Sequence, residues 1–150
     1  RLAEQKAQAL WSQLAPGERL PVLAADTTVA IEGAILGKPA DRAELHAMFR
    51  RLSGRTHEVH TAVAVMHDGR VHARVSTSEV SFRELAPAEI DWYWETGEPA
   101  DKAGGYAVQG RAAVFIRHIA GSYSGVMGLP LYETWELLAP ALGQTLRSAS

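Results

Sequence analysis

The spacing of apolar positions changes several times along the chain, and each change marks an element. Over residues 1–14, Leu2, Ala3, Ala7, Leu10 and Leu14 fall near helical spacing with charged residues between them. Pro16 and Gly17 predict the end of that helix. Val22 to Ile31 is rich in Val and Ala with two adjacent Thr, which predicts a strand. Glu32-Gly33 predicts a turn, and Ala34-Ile35-Leu36 a short returning strand. Asp41 is placed to cap a helix running to about Leu52, with Glu44 at the capping-box position. Ser53-Gly54-Arg55 stops it. Thr56 to Met66 alternates and is partly β-branched, His67-Asp68-Gly69 predicts a hairpin turn, and Val71 to Phe82 returns. Pro87 opens a helix to about Thr96. A polar, glycine-rich stretch from Gly97 to Gly110 follows. Ala112 to Ile119 predicts a strand, Gly121 to Gly128 a loop, and Pro130 to about Leu142 a closing helix. Helices alternating with strands and hairpins define an α/β fold, for which a mixed sheet flanked by helices is expected.

Composition narrows the chemistry. The chain has 150 residues, 47% hydrophobic and 21% charged, which suits one domain with a real core. A net charge of −2 offers no basic field for a nucleic acid backbone, so no nucleic acid partner is expected. The absence of cysteine excludes disulfides, thiolate metal sites and a thiol nucleophile. No apolar run approaches the ~20 residues needed to span a bilayer, and no apolar signal segment is seen. The expectation is a cytoplasmic protein without a membrane partner.

Three places do not fit a purely structural pattern. Asp26 lies in an apolar strand, in Ala25-Asp26-Thr27-Thr28. Aspartate is depleted in strands and an unpaired buried carboxylate is costly, so Asp26 caps a turn, binds a metal, acts as a base or holds a structural hydrogen bond. Gly37-Lys38-Pro39 follows the second strand. It is not a Walker A loop: three residues separate Gly33 from Gly37 where four are required, and Pro39 stands where a Ser or Thr would ligate Mg²⁺. Lys38 is either a point charge for a phosphate or a solvated loop lysine. The third place runs from Asp101-Lys102-Ala103-Gly104-Gly105-Tyr106 to Gln109-Gly110-Arg111. Its glycines at 104, 105 and 110 allow backbone to approach a ligand closely. The histidines are poor metal candidates. His57 and His60 point to opposite faces of one strand, and the others are scattered. Trp11, Trp92, Trp94 and Trp135 fall on helical segments, where core packing is the expectation.

These places carry a resemblance. Leu2-Ala3-Glu4-Gln5-Lys6-Ala7 resembles the "LAxxKA" helix of the Maf (septum-formation inhibitor) family. Leu23-Ala24-Ala25-Asp26-Thr27 with Leu36-Gly37-Lys38-Pro39 resembles its "GADT…GKP" segment, with Ala24 where glycine is common. Leu52-Ser53-Gly54-Arg55-Thr56-His57 is similar to "LSGxTH". Gly97-Glu98-Pro99 with Asp101-Lys102-Ala103-Gly104 and Gln109-Gly110 is similar to "GEPxDKAGxYxxQG". Gly121-Ser122-Tyr123 and Gly128-Leu129-Pro130-Leu131 are similar to "GSYxxVxGLPL". The ordered set runs from residue 1 to about 135 and is far more specific than any one motif.

The resemblance implies a Maf-like, ITPase-like fold with a cleft between two lobes, formed by residues 1–150 as a single domain. It implies a nucleoside triphosphate pyrophosphatase of the dTTP/UTP subgroup, a divalent cation (Mg²⁺ or Mn²⁺), and a homodimer as a common family state. Carried over by position, Asp26 is the catalytic acid residue, proposed as general base and metal ligand. Lys38 and Lys6 are phosphate-facing lysines of the catalytic set. Thr27, Gln109 and Lys102 contact substrate, the first two at positions tied to base choice. The family's preceding strand and "SxSPRR" segment have no counterpart in this sequence. Two alternatives stay open. One is the sister subgroup acting on 7-methyl-GTP, whose members read "SDQ" where this chain has Ala25-Asp26-Thr27. The other is a non-catalytic nucleotide-binding regulator of cell division.

Overall fold

The computed structural model of the chain describes residues 1–14 and 20–149. Pro16 and Gly17, expected to end the first helix, lie outside the described residues. The elements are α1 (Leu2–Gln13), β1 (Val22–Ile31), β2 (Ala34–Leu36), α2 (Arg42–Leu52), β3 (Thr56–His67), β4 (Arg70–Phe82), α3 (Pro87–Glu95), β5 (Ile116–Ala120), α4 (Tyr123–Met127) and α5 (Leu131–Ala149). Short 3₁₀ turns occupy Glu98–Asp101, Ala103–Gly105 and Arg111–Phe115. The five described strands form one sheet in the order β2-β1-β3-β4-β5.

The α/β class is as the sequence predicts, but the described pairings are all antiparallel, where a mixed sheet was expected. The reason is the β1–β2 hairpin. It reverses the chain before α2, so β3 arrives beside β1 running the opposite way. Two local turns set the hairpins. Glu32 and Gly33 have φ of 49° and 80°, and Asp68 and Gly69 have 51° and 73°. Paired positive φ values match the right-handed twist of the flanking strands.

Helix starts also follow local chemistry. The Asp41 carboxylate accepts the Glu44 N–H at 2.8 Å, and Glu44 returns its carboxylate to the Ala40 N–H. Two other predicted elements differ. The Ala112–Ile119 strand begins only at Ile116, because Arg111–Phe115 winds into a 3₁₀ turn that buries Ala112 and Phe115. The Gly121–Gly128 loop contains α4, whose first turn is capped by Ser122 accepting the Gly125 N–H at 3.0 Å. The closing helix runs on to Ala149 with Pro140 inside it.

Alternation along the strands divides the core. Ala24 of β1 joins Ala64 and Met66 of β3 under Ala3, Ala7 and Trp11 of α1. Val29 and Ile31 face the other way, into the main core with Phe49, Phe82, Tyr93 and Phe115. There Phe49 stacks on Tyr93 at 5.7 Å and meets Phe82 and Phe115 edge-on. On that same side Leu137 of α5 covers Val63 and Val65. Trp11 is buried as expected; Trp92 and Trp135 are about half exposed, and Trp92 still meets the buried Phe115 edge-on.

Candidate active site

The register of β1 decides where the site lies. On one side β1 pairs with β3 from Val22 to Ala30; on the other, β2 reaches only Val29 to Ile31. The stretch from Val22 to Thr28 therefore has no described strand along that edge. The chain leaves β2 at Leu36, opposite Val29, so continuing the register carries Lys38 to the level of Thr27. Here a cleft of about 240 Å³ opens, lined by Asp26, Thr27, Lys38, Lys102, Tyr106 and Gln109, among others.

Period-two geometry sends adjacent strand residues to opposite faces. Asp26 follows Ala24 onto the α1 face, where the Lys6 ammonium meets its Oδ1 at 3.4 Å. About 30% of the Asp26 side chain remains accessible. Thr27 turns to the opposite face. Its hydroxyl lies 3.1 Å from that of Thr61, its partner on β3. Thr61 in turn donates to the Gly125 carbonyl at 2.6 Å. A hydroxyl has one proton. With the Thr61 proton committed to Gly125, Thr27 donates to Thr61 and keeps only acceptor capacity for the cleft.

The opposite wall comes from the 3₁₀ segment. The Gly104 N–H donates to the Gly37 carbonyl at 3.0 Å, which ties this segment to the Lys38 loop. Gly104 has φ of 68°, and a Cβ there would lie 2.8 Å from a methyl of Val29. Position 104 therefore needs glycine for both backbone and space. Lys102 pairs with Asp101 at 3.6 Å, and both line the cleft. Tyr106 is buried with its hydroxyl 2.6 Å from His57 Nε2. Burial lowers the His57 pKa to about 4 and raises that of Tyr106, so at neutral pH both are uncharged. His57 Nδ1 has no partner among the described residues.

Five of the six residues singled out from sequence, Asp26, Thr27, Lys38, Lys102 and Gln109, thus line one cleft. Lys6 is not in that lining but reaches the site through Asp26. Sequence reasoning missed Val126 and Met127, which enter from α4, and the buried His57 behind Tyr106. The short helix Tyr123–Met127 is masked by Gly125 within it and by Gly121 and Gly128 around it, and the His57–Tyr106 contact spans 49 residues.

No described group of three or more His, Cys, Asp or Glu side chains could hold a metal by itself. Asp26 and Asp101 nonetheless put carboxylates on the cleft wall. Such oxygen donors suit a hard divalent cation whose shell is completed by water and phosphate oxygens.

Fold and site define an α/β protein with an edge cleft bearing one strand carboxylate, two lysines and a carboxamide. The chain belongs to the Maf family: the family model described as "Maf-like protein" matches residues 1–141. A Bordetella parapertussis protein named dTTP/UTP pyrophosphatase is 55% identical over 145 residues, covering 94% of this chain and 69% of that protein. A protein of the same name from Alkalilimnicola ehrlichii is 55% identical over 141 residues, covering 92% and 69%. One from Nitrosomonas europaea, also so named, is 51% identical over 140 residues, covering 92% and 68%.

Proposed function

We propose that this chain hydrolyses dTTP and UTP to the monophosphate and pyrophosphate. The observation that carries the reading is the convergence of Asp26, Thr27, Lys38, Lys102 and Gln109 on one cleft, in a chain whose relatives bear that name. Water attacks the α-phosphorus and forms the new P–O bond. The bond from the α-phosphorus to the bridging oxygen breaks, and pyrophosphate leaves. Asp26 takes the proton of the attacking water, and Lys6 holds the carboxylate in place. Lys38 and Lys102 face the polyphosphate as point charges. Asp26 and Asp101, both on the cleft wall, would hold a divalent cation, which would supply Lewis-acid neutralisation of phosphate charge.

Base choice falls to Gln109 and Thr27. A carboxamide offers a donor for the pyrimidine O4 and an acceptor for N3–H. Thr27 is left with acceptor capacity by its bond to Thr61, which suits N3–H and disfavours the O2 and O4 carbonyl oxygens at that point.

The test is pyrophosphate release across a nucleotide panel, by this chain and by one extended upstream, with Gln109→Glu beside wild type. Glutamate keeps the shape but loses the donor to O4. The variant loses kcat/KM for dTTP and UTP and gains relatively for CTP, whose N4 amine is a donor. An unchanged UTP-to-CTP ratio removes Gln109 from base reading. Absence of pyrophosphate release from any pyrimidine triphosphate by either chain overturns the activity.

A further inference from the structure

Gln109 is exposed on the cleft wall, and no hydrogen bond holds its carboxamide among the described residues. Its direction is therefore set by the backbone that carries it. That backbone is tied at two points, by Glu98 and Tyr93, both of which lie outside the cleft lining. The Arg111 N–H donates to Glu98 Oε1 at 3.1 Å. The Ala107 N–H donates to the Tyr93 hydroxyl oxygen at 3.3 Å, and Tyr93 donates its own proton to Glu98 Oε2. Between these ties the Gly110 N–H closes a turn on the Ala107 carbonyl at 3.1 Å. The anchors lie two residues to either side of Gln109.

We propose that Glu98 and Tyr93 form a clamp that positions Gln109, and are specificity-determining residues without touching substrate. The proposal rests on the base-reading role given to Gln109 above. Three features support a built device. The space beside Gly110 is taken by the carboxylate: a Cβ at that position would lie 2.2 Å from Glu98 Oε1. Tyr93 is fully buried, stacked on Phe49 at 5.7 Å and edge-on to Phe115 at 5.6 Å, so its hydroxyl has one direction. Burial, and then the bond to Glu98, raise the Tyr93 pKa, so the phenol keeps the proton it donates.

Glutamate is also the residue type the clamp requires. Its two oxygens accept separately from Tyr93 and Arg111. Glutamine has one acceptor oxygen, so Glu98→Gln keeps size while an NH₂ faces either a hydroxyl proton or an N–H. Tyr93→Phe keeps the ring stack and removes only the hydroxyl. Either change frees one end of the turn while the lysines and Asp26 stay in place.

The experiment compares wild type, Glu98→Gln, Tyr93→Phe, Gln109→Ala and the Glu98→Gln/Gln109→Ala double variant. Readouts are kcat/KM for UTP and CTP, Kd for non-hydrolysable analogues of both, and thermal unfolding. The UTP-to-CTP ratio should fall on the order of tenfold in Glu98→Gln, as for a misplaced positioning group, with kcat/KM for CTP nearly held. Tyr93→Phe should move the ratio the same way, and it carries the comparison if Glu98→Gln does not fold. In the Gln109→Ala background, Glu98→Gln should change the ratio by less than about twofold, because the pair acts through one residue. An unchanged ratio in a folded single variant overturns the clamp. So does an equal fall in both backgrounds, or an equal loss for UTP and CTP. A wild type with no preference for UTP over CTP instead overturns the base-reading role itself, which is a separate result.

Discussion

The Thr61 hydroxyl donates to the Gly125 carbonyl, which fixes its 3.1 Å contact with Thr27 as a bond from Thr27 to Thr61. One buried proton thus joins β3 to α4 and sets the polarity of a cleft residue on β1. Thr61 is fully buried, so its loss leaves a carbonyl and a hydroxyl unpaired. Thr61→Val should destabilise by about 1–3 kcal/mol in urea unfolding, although the shapes are close. Thr61→Ser should retain most of the stability. Equal stability of Thr61→Val and wild type would show that the chain Thr27–Thr61–Gly125 carries little energy.

Asp26 and Lys6 present the opposite balance. Their pair is open to solvent on both sides, Lys6 more than Asp26, so it contributes little to folding. Asp26→Asn should leave the unfolding temperature nearly unchanged while lowering kcat by about 10²-fold or more, the scale of general-base catalysis. Retained kcat in the folded variant would take Asp26 out of the proton transfer.

How much of this was legible from sequence depended on range. Hairpin turns and helix caps are set by neighbours, so Glu32-Gly33, Asp68-Gly69 and Asp41 with Glu44 were read correctly. The residues that line the cleft were also legible, because a charged residue in an apolar strand and glycines in a polar loop are local anomalies. What failed were elements whose identity tertiary contacts decide. Gly121, Gly125 and Gly128 lower helix propensity, yet Gly125 is what lets α4 lie against β4. A Cβ there would sit 2.6 Å from Ser76 Oγ. The Ala112–Phe115 stretch is apolar enough for a strand, but Phe115 turns inward to meet Phe49, Tyr93 and Trp92. The ties from Glu98 to Arg111 and from His57 to Tyr106 cross 13 and 49 residues, and no spacing rule marks them.

Gly104 offers a test of how the cleft wall is built. Alanine there would combine φ of 68° with a Cβ 2.8 Å from Val29. The αL strain costs about 1–2 kcal/mol, with the clash added to it. Gly104→Ala should therefore lower the unfolding temperature and raise KM for the triphosphate, since Gly104 ties the wall to Gly37. Gly69→Ala is the control, because nothing lies within 4 Å of its Cβ position and its φ of 73° leaves backbone strain alone. Equal effects of the two would mean that contact with Val29 does not matter.

His57 gives the fold a pH dependence of definite sign. Burial holds its pKa near 4 in the folded chain, against 6.5 in the unfolded one. Above pH 6.5 the imidazole is neutral in both states, and its contribution to pH dependence is nil. As pH falls from 6.5 towards 4, the unfolded chain binds a proton that the folded chain refuses. Unfolding is favoured by that uptake, and stability falls through this window. A gap of this size corresponds to about 3.5 kcal/mol at most, on the scale of about 1.4 kcal/mol per pH unit. His57→Gln should flatten the curve, because an amide can still pair with the Tyr106 hydroxyl and does not titrate. The measurement is the free energy of urea unfolding at intervals from pH 7 to pH 4 for both proteins. Wild type should lose stability more steeply between 6.5 and 4, and the two curves should run parallel above that range. Parallel curves throughout would mean that His57 is not the group that refuses the proton, and that its hydrogen bond to Tyr106 survives acid in the charged form.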